Sequence, residues 1–541
     1  MNTTRHSAGG RNAPRSARSA YANCKLWRNR LQQRPDDPNT LCGLANALLD
    51  SGQREEAEFT VRSALALEPD MPDAHYVLGK LLHQRGSHVA AVAQYRHALT
   101  FGANSGDIWN DLGCSLASLG DLTAAKDAFR TALRLSPQHA EAHNNVGECL
   151  WREDRMRDAM QSFATALRLD PSLTAASLNL AAGLVRMNRA VTAVPLLKRC
   201  LVRAPDSARA HLKLGVAWQQ LERFDDAVAS FRAAAELAPS ADAYRGLAAS
   251  LAAAGQPVDA VVAYREAAAL APDDTELADA FATALLAAGM SDQALSVSHE
   301  RVTKGPATTT ALAAHSLALA RTGVDTADDL MAFDALVHGS ALRLPTGYRS
   351  LDVFNGLLFQ YVSAHPTLAM TPLADGLGLA PPAAQEKIAR TGPLLASAVQ
   401  PVAELARQVN DAVRAYLDRT EQLGGHPLLT PPPSDWLLSA RGVVTAPRSE
   451  QPRHLRPAAW LSAIYYVRLP TAVTHGTTQD GCLQLGGAPA AVDPEGLLPT
   501  CTIRPAEGQL IVFPAYLFRR TVAFSGSDSH VSIAFDIARR G

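Results

Sequence analysis

Two adjacent arginines in an apolar segment near the C-terminus pose the sharpest chemical question in this sequence. Arg519 and Arg520 lie within FPAYLFRRTVAF, residues 513–524, which has the aromatic and β-branched composition of a strand. Successive side chains on a strand point to opposite faces, so one guanidinium group is expected to point inward. An unpaired buried charge is costly, so a carboxylate or an external anion should lie opposite it. Asp480 and Asp528 are the candidate carboxylates within the chain.

The residues around this segment predict an antiparallel β domain. Short apolar runs separated by turn residues follow residue 435 with no helical pattern between them. They read WLSAIYYVRL, GCLQLGG, TCTIRP, GQLIVFPAYL and HVSIAFDI. Such a succession of strands predicts a jelly roll over residues 435–541. Two helical patterns, at 349–364 and 383–423, come before it, so helices are expected within 345–425.

Four blocks of this region resemble a bacterial branch of the 2-oxoglutarate and iron(II)-dependent oxygenases. The blocks are HLRPAAWLSAIYYVRLP, GCLQLGG, RPAEGQLIVFPAYLFRRTVAF and SDSHVSIAFD, and the resemblance covers about residues 345–541. It implies a double-stranded β-helix, which is a jelly roll. In that family a His-x-Asp or His-x-His pair and a distant histidine hold the iron. A basic residue, usually arginine, binds the far carboxylate of 2-oxoglutarate.

At the positions that the resemblance assigns to these roles, the sequence keeps one residue and changes three. His454 stands at the first ligand position, whereas Arg456 and Arg519 stand at the other two. His530 replaces the arginine that would bind the cosubstrate. Arginine has only donors and stays protonated, so it cannot ligate iron. The expected result is a cationic pocket of Arg456, Arg519 and His530 that holds a small anion or an acidic side chain.

The N-terminal part of the chain carries a 34-residue period. Gly79, Gly113, Gly147 and Gly215 form one column, and Pro69, Pro137, Pro171, Pro205 and Pro239 form another. A third column is aromatic and contains Tyr95, Phe129, Phe163 and Phe231. Small residues allow two helices to approach closely, aromatic residues fill the space between them, and proline ends the second helix.

These columns resemble the tetratricopeptide repeat, which implies an α-solenoid of about eight repeats over residues 38–308. Residues 309–344 are expected to form a degenerate capping repeat or linker. A solenoid of this kind binds a peptide or protein segment on the concave surface formed by the first helix of each repeat. The polar residues expected in that groove are Lys80, Asn110, Asn144 and Glu148.

The composition of the chain limits the classes of partner and the cellular location that can be expected. The 541 residues include 51 Lys or Arg and 52 Asp or Glu, a balance that favours neither a nucleic-acid nor a membrane partner. Residues 1–37 are rich in Arg, Ser and Asn and are expected to be a basic, disordered tail. The seven cysteines contain no C-x-x-C pair, and no 18-residue apolar stretch occurs. The protein is therefore predicted to be soluble and cytoplasmic.

Together these features predict a two-part scaffold: an all-α solenoid that binds a protein partner, joined to a jelly roll that has lost its iron. No cofactor is expected in that case. The alternative is an active 2-oxoglutarate- and Fe(II)-dependent dioxygenase that hydroxylates a protein held by the repeats. It requires an iron site rebuilt around His454 from His475, Asp480 or His530.

Overall fold

A computed structural model describes most of the chain. The described residues are 15–324, 327–372, 387–397, 399–421, 423, 426–429, 432–449, 451–490 and 493–540. The chain forms two compact units, residues 1–206 and 207–541, and each is described by itself.

The first unit is built from helices alone. Its helices are α1 (Arg15–Gln33), α2 (Pro38–Asp50), α3 (Arg54–Leu67), α4 (Pro72–Gln84), α5 (His88–Thr100), α6 (Gly106–Ser118), α7 (Leu122–Leu135), α8 (Ala140–Arg152), α9 (Met156–Leu169), α10 (Thr174–Arg186) and α11 (Ala190–Arg203). From α2 onward they form helix–turn–helix pairs with the predicted 34-residue period. Local signals define the ends: the Asp121 side chain, for example, accepts a hydrogen bond from Ala124 N (3.0 Å) and caps α7.

The glycine and aromatic residues that recur every 34 residues pack against each other as predicted. A Cβ added at Gly113 on α6 would lie 2.5 Å from Cε1 of Phe129 on α7, so only glycine lets these two helices approach so closely. Gly79 and Gly147 meet Tyr95 and Phe163 in the same way. These three pairs therefore repeat one contact, in which an aromatic ring on the second helix covers a bare backbone on the first.

The expectation of a disordered tail is wrong for part of residues 1–37. Helix α1 occupies Arg15–Gln33 and packs against α2. Cys24 is 1% exposed, and the Trp27 ring lies against Gly43. Cys24, Trp27 and Leu31 are spaced for one face of a helix, and this short apolar face adds a helix to the first repeat despite the basic surroundings. Residues 1–14 lie outside the described part.

The second unit starts with further helix pairs and ends in the β domain. Its helices are α12 (Ala208–Gln220), α13 (Phe224–Leu237), α14 (Ala241–Ala253), α15 (Pro257–Leu270), α16 (Thr275–Ala287), α17 (Ser291–Thr303), α18 (Thr309–Thr322), α19 (Ala327–Leu330), α20 (Phe333–Leu336), α21 (Leu351–Ser363), α22 (Gln400–Thr420) and α23 (Thr471–Thr474). Its strands are β1 (His338–Ala341), β2 (Ala369–Pro372), β3 (Lys387–Arg390), β4 (Trp436–Thr445), β5 (Leu461–Arg468), β6 (Leu483–Gly486), β7 (Thr500–Ile503), β8 (Gln509–Pro514), β9 (Arg519–Thr521) and β10 (His530–Arg539).

The strands form two antiparallel sheets, as expected for a jelly roll. The larger sheet has seven strands in the order β1-β8-β5-β10-β4-β3-β2, and the smaller has the order β7-β6-β9. Strand β5 lies inside the larger sheet, and Leu461 through Val467 are all buried. Because both of its faces are covered, β5 is a continuous apolar run rather than an alternating one.

Residues 309–344 do more than cap the repeats. Helix α18 is buried at Thr309 and along Ala311–Leu319, although a terminal helix of a solenoid normally exposes a polar face. The Thr309 hydroxyl donates a hydrogen bond to Ala459 O, and the Tyr516 hydroxyl donates one to Leu330 O (2.6 Å). Strand β1 then pairs with β8 at the edge of the larger sheet. This segment is therefore part of the core of the β domain.

The predicted helices within 345–425 are only partly correct. Helices α21 and α22 lie within the two helical patterns, but β2 and β3 separate them and join the larger sheet. The pattern at 383–423 contains Gly392 and Pro393, which end a helix, and the described residues before them form strand β3. Residues 373–386 lie outside the described part.

Candidate functional sites in the barrel and the repeat groove

The backbone brings two of the predicted site residues together. His454 N donates to Arg519 O (3.1 Å) and Arg519 N donates to His454 O (2.9 Å), so the two form an isolated antiparallel bridge. Arg519 is the inward member of the arginine pair and is 4% exposed. Arg520 is partly exposed, lines the same cavity as Arg519, and donates from Nε to Gln484 Oε1 on β6 (2.8 Å).

The imidazole of His454 is oriented by bonds at both nitrogens. Nδ1 lies 3.1 Å from Pro452 O, which accepts its proton, so Nε2 carries the lone pair. Arg519 Nε donates to that lone pair at 3.4 Å. Burial, followed by the charges of Arg519 and Arg456, holds the pKa of His454 well below its ordinary value. The acceptor nitrogen of His454, at the position that the resemblance assigns to an iron ligand, therefore faces a guanidinium group.

The carboxylate that lies beside Arg456 and Arg519 belongs to Asp536, not to the predicted Asp480 or Asp528. Its Oδ1 lies 3.8 Å from Arg456 Nε and 3.8 Å from Arg519 Nη2. Asp528 is exposed, and Asp480 is partly exposed in the segment between α23 and β6. A sequence signal for Asp536 was available, because alternation along β10 places it on the strand face of Ser532 and Ala534, two residues that line a cavity together with His454 and Arg519.

A third arginine, which sequence reasoning missed, completes the cationic cluster. Arg390 on β3 is 8% exposed and donates from Nε to Thr371 Oγ1 on β2 (2.7 Å). Burial and then the charge of Arg456 lower the pKa of both Arg390 and Arg519 to about 10. Both remain protonated at neutral pH. The missed residue lies in a segment that was assigned to a helix, where its strand partner was not visible.

His530 does not join the arginines. It is 2% exposed at the start of β10, six residues from Asp536, which corresponds to about 20 Å along an extended strand. Its ring packs against Tyr466 and Phe524, with centroids 5.6 and 6.0 Å away. Burial lowers the pKa of His530 to about 4, so the side chain is neutral. The three residues predicted to form one pocket therefore lie at two separate sites, with Arg456 and Arg519 at one and His530 at the other.

We call the cluster of His454, Arg456, Arg519, Asp536 and Arg390 the barrel centre. These residues do not fit an Fe(II) site of the family type. Such a site needs three donors on one face of the metal, and here two of the three positions carry guanidinium groups. The side chain of His475, a candidate replacement ligand, is exposed and contacts Thr474 (2.8 Å). Within the described part of the chain, no group of three or more His, Cys, Asp or Glu side chains is arranged to hold a metal ion.

The predicted groove residues form a ladder between neighbouring repeats of the first unit. Asn145 Nδ2 donates to Asn110 Oδ1 (2.9 Å), and Asn179 Nδ2 donates to Asn144 Oδ1 (3.0 Å) and to Glu148 Oε1 (2.7 Å). Asn110 and Asn144 are buried, whereas Glu148 is exposed. Each amide thus satisfies its neighbour one repeat away.

Lys80 belongs to the same row of side chains, and Nζ lies 3.4 Å from Asn46 Oδ1. The row also contains Asp111, which accepts a hydrogen bond from the Tyr76 hydroxyl (2.9 Å). Burial raises the pKa of Asp111. Asn145, Asn179 and Asp111 were not predicted, although they follow the same 34-residue period.

Family models match both parts of the chain. A tetratricopeptide repeat model matches residues 42–107, 110–173, 178–241 and 219–275. The model described as "Putative 2OG-Fe(II) oxygenase" matches residues 442–536. The chain therefore carries tetratricopeptide repeats in its N-terminal part and a C-terminal domain that matches the putative 2OG-Fe(II) oxygenase family. Both predicted resemblances are confirmed at this level.

Several solved structures are similar to the repeats. A chain of the APC/C hetero-tetramer Cut9-Hcn1 is 16% identical, with 43% of this chain and 46% of that chain covered and a TM-score of 0.41. YrrB, a TPR protein with an unusual peptide-binding site, is 23% identical over 35% of this chain and 96% of its own (TM-score 0.28). PilF of Pseudomonas aeruginosa is 22% identical over 37% and 92% (TM-score 0.34). No curated protein matches the chain. Among the described helices, none has the length and apolarity that a membrane span requires.

Proposed function

We propose that this protein is a protein-binding scaffold whose oxygenase-like domain has lost iron binding. The observation that carries the proposal is the hydrogen bond from Arg519 Nε to His454 Nε2 (3.4 Å). In the family that this domain resembles, the histidine at this position is a ligand of the iron. Here the guanidinium group of Arg519 lies against this histidine instead of a metal. A divalent metal at this place would also be repelled by the positive charges of Arg456 and Arg390.

The protonation states support the same proposal. A metal-binding site gathers carboxylates and neutral imidazoles, whereas this one gathers three guanidinium groups around one carboxylate. Asp536 is the donor that iron would use most readily, but it already lies between Arg456 and Arg519. Iron binding would require Asp536 to leave two cations and Arg519 to leave the core.

The repeats supply the binding function in this proposal. The amide ladder holds Asn144, Asn145 and Asn179 in fixed orientations without using every donor and acceptor that three amides possess. The remaining capacity, beside the exposed Glu148, suits the backbone of an extended peptide. We assign the peptide to this surface because fixed side-chain amides pair with peptide groups of any sequence. All seven cysteines are free, which agrees with a reducing, cytoplasmic location.

Metal titration of the full chain tests the loss of iron binding. Fe(II) and Mn(II) are titrated under anaerobic conditions, each with and without 2-oxoglutarate, into protein shown to be folded by circular dichroism. The expected result is no saturable binding tighter than about 1 mM. Micromolar binding that tightens in the presence of 2-oxoglutarate would contradict the proposal. It would favour the alternative that the family match raises, a dioxygenase acting on a protein held by the repeats.

A displayed library of random peptides, selected on the full chain, tests the groove. Peptides that bind wild-type protein are expected to lose at least about tenfold in affinity when Asn179→Ala is combined with Glu148→Ala. The matched control is Arg130→Ala, an exposed position on α7 outside the ladder. Selected peptides that bind all three proteins equally would place the binding surface elsewhere.

A further inference from the structure

The barrel centre contains buried polar atoms without partners. Arg519 Nη1, Arg456 Nε and Asp536 Oδ1 make no hydrogen bond to any described residue. The distance of 3.8 Å that separates Asp536 Oδ1 from each guanidinium is too long for a hydrogen bond. Because a buried N–H without a partner is strongly disfavoured, a group from outside the chain should satisfy the donors on Arg519 Nη1 and Arg456 Nε.

The charge of the cluster defines the sign of that group. Arg456 and Arg519, which line the cavity, bring two positive charges, and Asp536 brings one negative charge. His454 adds none, because its Nδ1 donates to Pro452 O and its Nε2 accepts from Arg519 Nε, which leaves no nitrogen for a second proton. Two minus one leaves a net charge of one positive, so the missing partner is an anion.

The size of the cavity narrows the choice of anion. The space that His454, Arg456 and Arg519 line has a volume of about 30 Å³. A single water-sized sphere occupies about 10–15 Å³ on this measure, so the cavity accepts two such spheres. A monatomic anion fits, but an extended dicarboxylate or a peptide side chain does not. Val443 and Ile464 contribute apolar walls, which suit a weakly hydrated anion.

We propose that the barrel centre binds one halide ion, chloride under ordinary conditions, between Arg456 and Arg519. This inference rests on the proposed loss of iron, because the anion occupies the place that the metal would take. Arg519 Nη1 and Arg456 Nε donate to the ion. Asp536 Oδ1 repels it, but the two guanidinium groups outnumber this single carboxylate. The ion completes the core by satisfying donors that the chain leaves unpaired.

Thermal unfolding of the full chain provides the first test. Wild-type protein is compared in sodium chloride and in sodium gluconate at equal ionic strength, since gluconate is too large for the cavity. Chloride is expected to raise Tm by about 2–4 °C with saturation, whereas gluconate shows only the general salt effect. Arg519→Gln and Arg456→Gln should each lose the chloride increment. Arg441→Gln is the control, because Arg441 is exposed and does not line the cavity.

Crystals of wild-type protein grown in bromide provide a test that does not depend on the variants folding. An anomalous peak between Arg456 and Arg519 is expected. Equal Tm in chloride and gluconate, together with no anomalous peak, would overturn the halide site and leave water in the cavity. The proposed loss of iron would stand in that case. Micromolar iron binding would refute the proposed function whatever the halide result.

Discussion

The repeats and the barrel centre of this protein build their interiors in opposite ways. In the repeats, one packing contact recurs: a glycine on one helix faces an aromatic ring on the next at Gly79, at Gly113 and at Gly147. In the barrel centre, each contact occurs once. Arg519 contacts His454 and Asp536 lies between two arginines, and the described residues contain no second copy of that arrangement.

This contrast indicates where residues can change without a change of fold. The two sheets depend on apolar residues such as those of β5, which do not take part in the polar cluster. The ligand positions can therefore change to arginine while the sheets keep their order. A repeat column has less freedom, because the same close approach is made in several pairs, at Gly79, Gly113, Gly147 and Gly215. Four predictions sharpen this comparison.

The largest expected effect is a gain of metal binding in the double variant Arg456→Asp with Arg519→His. The pair removes two guanidinium groups and adds a carboxylate and an imidazole beside His454, which gives three donors. Mn(II) affinity is expected to rise at least about a hundredfold over wild type. Calorimetric titration checks this, with Arg456→Asp plus Arg519→Gln as the control that removes charge without adding the third donor. Equal affinity in the two double variants would show that the ligand geometry has been lost as well.

Acid sensitivity should be concentrated in the second unit. Burial lowers the pKa of His530 and of His315 to about 4, from 6.5. The unfolded chain therefore binds more protons than the folded one between these values. The free energy of unfolding is expected to fall as pH decreases from about 6.5 to about 4, by roughly 3 kcal/mol for each histidine.

Urea denaturation across this pH range measures the effect. His530→Phe fills a site already bounded by Tyr466 and Phe524 and should remove its share of the pH dependence. His475→Asn, at an exposed position, is the matched control and should keep the wild-type slope. A His530→Phe protein with an unchanged slope would contradict the assignment of this histidine as a buried neutral group.

The same substitution should have opposite signs in two helices. Gly113→Ala forces a methyl group to within 2.5 Å of the Phe129 ring and is expected to cost about 1–3 kcal/mol. Gly356→Ala in α21 meets no atom within 4 Å and should stabilise the protein by up to about 1 kcal/mol through helix propensity. Chemical denaturation of both variants checks the prediction. A harmless Gly113→Ala would refute the idea that the glycine column exists for close packing.

The smallest expected effect concerns the turns inside the repeats. Glu222 has a φ of 57°, in the left-handed region, at a turn where other repeats use glycine, as at Gly120 with a φ of 85°. Glu222→Gly should relieve this strain and stabilise the protein by about 1 kcal/mol. The reverse change at Gly120, to alanine, should destabilise it by a similar amount. Thermal unfolding resolves both changes, and the prediction fails if both variants shift Tm in the same direction.

Periodic features were predictable, and features that depend on a single long-range contact were not. The 34-residue columns predicted the helix pairs, and the β-branched runs predicted the strands that carry Arg519 and His530. Asp536, Arg390 and the strand β3 were missed. Asp536 reads as one polar residue among many, and its partners lie on β9 and near His454, far away in sequence. Helix α1 was missed because a short apolar face was hidden in a basic composition.

The sequence alone determined the two classes of structure in this protein, because both follow from local spacing: 34 residues for the repeats and alternating or continuous apolar runs for the strands. It also determined that one buried arginine needs a partner. Only the tertiary structure decided which atoms meet. Charges interact through space, so the pairing of Arg519 with His454 and Asp536 depends on how the sheets close, and no local pattern records it.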